Sequence, residues 1–286
     1  MAPWYFFSIL ALLLLGTQRF LYKVAAERKC SSALTTALFM GTVTVLSSAV
    51  FFFSGESAGD RTSLIILALV NSASFALATV ANMEALRRLP AMVTFPLTRL
   101  SILVVIVVSI FFFDERLGLR QWVGMLAGLA VVAVLAKETG SAVRPEGKTH
   151  TGFLFVALCV LCGAVATISS KLAATSVSKS AFMALSYLLA TFFALAIEKI
   201  WGGSKAGNKI GEAVKLGLLM GLLNFFGFYA FLMALASGPL SVIALIAGMH
   251  FVIALGLSVL LYREKMTLRR LVGLGLTLLA VFFLKH

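Results

Sequence analysis

Arg99 stands in the stretch FPLTRLSILVVIVVSIFFFDERL, Phe95 to Leu117, whose middle is as apolar as a lipid tail. A guanidinium near the centre of a membrane helix costs about 2.5–3.5 kcal/mol on insertion scales, so its surroundings must compensate it. Two chemistries could do so. Its planar fork suits the carboxylate or phosphate of an anionic ligand. Alternatively the chain supplies the counter-charge itself, with Glu84, six residues before Pro90, as the nearest candidate. A pair that breaks when a ligand arrives would combine both, and Glu84 could then also carry a proton.

Other polar residues sit in apolar runs. His250 either titrates and couples a proton or stays neutral and hydrogen-bonded. Asn224 and Tyr229 offer hydrogen bonds to a ligand or to neighbouring helices. Gln18 and Arg19 lie deep in the first apolar run, where Arg19 either lines the mouth of a cavity or snorkels to the surface. No HExxH, no GxSxG and no paired aspartates occur at such depth, so no catalytic residue, metal site or cofactor is expected and the chain does not read as an enzyme. Cys159 and Cys162 form a CxxC inside an apolar run, which reads as packing rather than redox chemistry.

The elements that must position these residues follow from composition. Of 286 residues 61% are hydrophobic and only 12% charged, with a mean hydropathy of +1.04. Soluble domains carry about 25% charged residues. Ten runs are long enough to cross a hydrocarbon layer of about 30 Å as helices. They are Trp4–Tyr22, Ala33–Phe53, Ser63–Leu86, Ala91–Phe113, Leu119–Ala136, Thr151–Ala174, Ala181–Ile200, Ala213–Ala236, Leu240–Tyr262 and Leu268–Leu284. The first run lacks a basic start and a cleavage site, and is read as a retained helix rather than a signal peptide. At about 1.5 Å per residue, Arg99 falls about 3 Å from the midplane, with Asn224 and His250 at similar depth.

The second half repeats the first. Leu89–Leu135 aligns without gaps to Gly238–Leu284: Pro90 falls on Pro239, Val93 on Val242, Ser109 on Ser258, Glu115 on Glu264, Arg120 on Arg269 and Gly124 on Gly273. Lys23 falls opposite Lys171. Five helices per half force the halves to enter the membrane in opposite senses, an inverted repeat with its polar site expected near the midplane, at the interface between halves. Of the 24 Lys and Arg, sixteen fall in loops on one side and six on the other. We call these the basic face and the sparse face. The net charge of +13 therefore reads as topology rather than nucleic-acid binding, and the positive-inside rule puts both termini outside.

The motif ALRRLPAMVTFPLTRLSILVVIVVSIFFFDERLGLRQWVGMLAGLAVVAVL resembles the second part of an EamA-type repeat of the drug/metabolite transporter superfamily. MALASGPLSVIALIAGMHFVIALGLSVLLYREKMTLRRLVGLGLTLLAVFFL resembles its second copy. The shared marks are a helix ending in Ala-Leu, a turn with Pro, an apolar helix ending in Glu115-Arg116 or Glu264-Lys265, and a Gly near the opening of the last helix. Gly16-x(6)-Lys23 and Gly163-x(7)-Lys171 also fit.

The resemblance implies an all-α polytopic protein of ten transmembrane helices, with repeats at 1–140 and 149–286, that moves a small metabolite by alternating access. The site residues expected to touch substrate are Arg99, His250, Asn224, Tyr229, Gln18 and Arg19, with Glu84 and His250 as coupling or gating groups. The expected partners are a small molecule, a proton or counter-substrate, and the bilayer of a prokaryotic inner membrane; a homodimer is left open. Family habit puts both termini in the cytoplasm, against the loop charges. Competing readings are an exporter of drugs or lipophilic cations, which would call for a midplane carboxylate in helix one or six, and a non-transporting scaffold or receptor.

Overall fold

The computed structural model describes residues 3–28, 30, 32–89, 94, 97–136, 149–201, 210–262 and 267–284. Among the described residues eleven helices follow one another: α1 Pro3–Glu27, α2 Ser32–Ser54, α3 Arg61–Arg88, α4 Ser101–Phe112, α5 Leu119–Ala136, α6 Thr149–Ser176, α7 Lys179–Trp201, α8 Ile210–Ser237, α9 Leu240–Gly248, α10 His250–Tyr262 and α11 Leu268–Leu284. Six stretches are long and apolar enough to span a bilayer, with α9 and α10 together forming one of them. Shorter apolar helices over Ser101–Phe112, Leu119–Val131, Lys179–Phe193 and Leu271–Leu284 make up the ten spans. Pro90, Val93, Glu264, Lys29, Lys137, Arg144, Lys148, Lys205, Lys209, Arg263, Lys265 and Lys285 lie outside the described residues, as do the side chains of Lys23, Arg87, Lys199 and Arg270.

The halves interlock, because most helix pairs join one half to the other. α1 packs on α8 as α3 packs on α6, α2 on α8 as α7 on α3, and α1 on α10 as α4 on α6. Exchanging the halves maps each of these pairs onto the other. The sense of the pairing shows the inversion. Gly124 near the start of α5 abuts Leu284 and Ala280 at the end of α11, and Ile102 at the start of α4 lies against Gly248 at the end of α9. Equivalent spans, the fourth with the ninth and the fifth with the tenth, thus run antiparallel side by side, as an axis in the membrane plane requires.

Small residues allow this closeness. A Cβ at Gly16 would come within 2.5 Å of Ile253 Cβ and 2.8 Å of the His250 carbonyl, while at the equivalent Gly163 it would meet Ser101 Cβ at 3.4 Å. Gly217 and Gly221 bring α8 against Leu38 and Thr42 of α2, as their GxxxG spacing predicts.

The apolar surface of the molecule is turned outward. Phe53 is 92% exposed and Phe112 81%, placing large apolar groups where lipid would solvate them. Buried hydroxyls return to their own helix: Ser8 donates to the Trp4 carbonyl at 2.7 Å, Ser72 to Ala68 at 2.7 Å and Thr277 to Gly273 at 2.8 Å.

The sparse face is tied across the halves. Ser178 N–H donates to the Ala58 carbonyl at 3.3 Å and Ser178 Oγ to Glu56 at 3.0 Å. The Tyr5 hydroxyl donates to the Val281 carbonyl at 2.8 Å. Asp60 caps α3, and the donors of Thr62 and Ser63 hold its carboxyl below the usual carboxylate range.

Candidate functional site

Two helix breaks at equivalent positions build the site. Before α4 the chain turns tightly, with Leu100 N–H donating to Leu97 O and Ile102 N–H to Arg99 O, both at 3.0 Å. Between α9 and α10, Met249 N–H donates to Ile246 O at 3.1 Å and Val252 N–H to Met249 O at 2.9 Å. Leu100 and Met249 are repeat equivalents, so each half carries its break at the same place. The ninth span is unbroken in sequence, with no proline in it. At this break His250 Nδ1 reaches the Ala247 carbonyl at 2.6 Å and occupies an acceptor of the helical ladder. A carbonyl only accepts, so Nδ1 carries a proton, and Nε2 is an acceptor whenever the ring is neutral.

Arg99 flanks the first break, half-buried, with its guanidinium carbon 5.4 Å from the centroid of Phe251 on α10. Arg19 on α1 is exposed and lies 5.9 Å from the centroid of Tyr22. Its charge acts on Arg99, on His250 and on Tyr187 of α7. Among the described residues no carboxylate pairs with either guanidinium. Cys159 of α6 lies in the field of Arg99, so both halves face this region.

Glu84 is elsewhere. Its carboxylate is ion-paired and hydrogen-bonded to Arg88, one turn along α3, and Arg88 stacks over Phe155 of α6 at 4.7 Å. That local i,i+4 pair takes up the charge which the sequence offers to Arg99.

Gln18 and Asn224 join in one chain. The Tyr187 hydroxyl donates to Asn224 Oδ1, and Asn224 Nδ2 donates to Gln18 Oε1 at 3.2 Å. Both amide ends of Asn224 are thereby engaged with protein, linking α1, α7 and α8. Tyr229 stands apart from this chain, stacked on Phe225 with centroids 6.2 Å apart and within the field of Glu56 at the sparse face.

Sequence reasoning gave no site role to Tyr187 or Phe251, and it noted Glu115 and Lys171 only as marks of the repeat. Glu115 accepts from the N–H of Leu240, from Ser241 N–H at 3.1 Å and Oγ at 2.5 Å, and from Ser109 at 2.9 Å. Lys171 donates to the carbonyls of Leu235 at 2.6 Å and Gly238 at 2.9 Å. The two grip opposite sides of the Gly238-Pro239 turn. The repeat contained the signal, because both residues have a partner of the same type in the other half. Asn71 was also missed; it bridges α3 to α6 through Ala166 O at 2.8 Å, Ser169 and Ser170.

Comparison with known proteins adds family and fold. A solved crystal structure that is 18% identical superposes with a TM-score of 0.80, covering 100% of this chain and 97% of the other, and at that identity it speaks for the fold alone. No curated protein matches the sequence. The model of the EamA-like transporter family matches twice, over residues 2–137 and 150–285. Two matched copies that together span nearly the whole chain, on inverted five-helix halves, make this protein a member of the EamA-like transporter family, an integral multi-pass membrane transporter of the drug/metabolite type.

Proposed function

We propose that the protein is a secondary transporter that moves a small metabolite bearing an anionic group by alternating access, binding it between the halves at Arg99. The observation that carries this reading is a pair of guanidiniums at membrane depth, Arg99 and Arg19, that no carboxylate neutralises among the described residues. Such charges are tolerated where they meet water or a ligand, and they mark substrate pathways. The symmetric helix breaks support the reading, since irregular backbone at this depth belongs beside a cavity. A lipophilic cation would meet two like charges there, which disfavours the drug-export alternative.

The test is uptake of labelled amino acids, organic acids and phosphorylated metabolites into proteoliposomes. The wild type takes up at least one anion, and Arg99→Ala abolishes that uptake while the protein stays folded. Uptake of lipophilic cations with no signal for any anion would overturn the proposal.

A further inference from the structure

We infer that the preferred ligand of this site is a small dianion, a dicarboxylate or a phosphomonoester, held with Arg19 on one charge and Arg99 on the other. This rests on the anion-transport reading and narrows it. Each guanidinium lies over an aromatic ring, Arg99 over Phe251 and Arg19 over Tyr22. A ring covers the flat face of a guanidinium and leaves its in-plane N–H groups free. Among the described residues those N–H groups meet no acceptor, so each arginine presents a fork suited to bidentate capture of an oxyanion.

Charge balance sets the number of negative charges. Both guanidiniums face the α1–α10 contact, since Gly16, one turn before Arg19, abuts the His250 carbonyl, and Phe251 beside His250 carries Arg99; the Gln18–Asn224–Tyr187 chain beside them is neutral. A monoanion compensates one guanidinium and leaves the other to solvent, whereas a dianion compensates both. The neutral chain commits Asn224 Oδ1 and Gln18 Oε1 to its own hydrogen bonds, so these acceptors do not compete for the arginines. His250 Nε2 adds one acceptor, able to receive a hydroxyl or a protonated oxygen of the ligand.

Purified full-length protein in nanodiscs, titrated by calorimetry with matched pairs of ligands, tests this. The pairs are succinate against succinamate, and glycerol 3-phosphate against its methyl diester; within each pair size is similar and one charge is lost. One dianion should bind about 10- to 100-fold more tightly than its monoanionic partner, the range expected for one charge-assisted contact. The pair that discriminates identifies the chemistry as carboxylate or phosphoryl. Arg19→Gln should bring that ratio close to one while monoanion binding persists, and Arg19→Lys should restore part of it. Equal affinity for both members of each pair overturns the dianion inference and leaves the anion reading standing. Failure of all four ligands to bind, alongside binding of another class of solute, removes both.

Discussion

At the scale of single residues, the polar groups of the membrane interior divide into those that hold helices together and those whose N–H groups meet no acceptor among the described residues. Asn224 belongs to the first kind, engaged with Tyr187 on one side and Gln18 on the other. Asn224→Leu should lower stability by about 1–3 kcal/mol, because it strands a buried hydroxyl and a buried amide. Tyr187→Phe should cost about 1 kcal/mol, and the double variant less than the sum, since the two groups share one bond. Thermal unfolding in detergent of the four proteins checks this; strict additivity would show that the chain is not cooperative. Arg99 and Arg19 belong to the second kind. Arg99 was legible from sequence because a charge inside an apolar run cannot be neutral in cost. Tyr187 and Phe251 were not, because aromatic residues are equally at home against lipid and in a core. The false lead was Glu84: one-dimensional proximity favoured Arg99, yet Arg88 lies one helical turn away and closes the pair locally.

At the scale of elements, hydropathy located all ten spans, but it could not show where a span is interrupted. The ninth reads as one continuous span, and at its break the imidazole of His250 reaches the Ala247 carbonyl, a contact that hydropathy does not encode. The clamp on the turn between α8 and α9 was hidden for a similar reason, since Glu115 reads as an ordinary loop acid until its partners are known. Glu115 holds the N-terminus of α9 and Lys171 the C-terminal carbonyls of α8, each with the sign that the helix end favours. Glu115→Ala should therefore loosen this end of the molecule. A cysteine at Val242, fully buried beside the clamp, should react with an impermeant maleimide about tenfold faster or more in the Ala variant, in a background without native cysteines. An unchanged rate would show that other contacts keep this end closed.

At the scale of the whole molecule, the inverted arrangement was legible because an odd number of helices per half leaves no other solution. The structure adds the antiparallel contacts of α4 with α9 and of α5 with α11. Basic loops gathered on one face predict that this face is cytoplasmic. A cysteine replacing Ser57, exposed on the sparse face, should then be labelled from outside intact cells; labelling only after permeabilisation would reverse the orientation and leave the fold untouched. What the whole assembly accomplishes is to set two cationic forks, supplied by α1 and by the turn before α4, beside α10 of the opposite half. The most direct measurement is a crystal structure with selenate, a dianion whose selenium scatters anomalously. The account predicts an anomalous peak within hydrogen-bonding distance of the guanidiniums of both Arg19 and Arg99. A site without that peak, with the Arg99 side chain turned into the acyl chains, would contradict it.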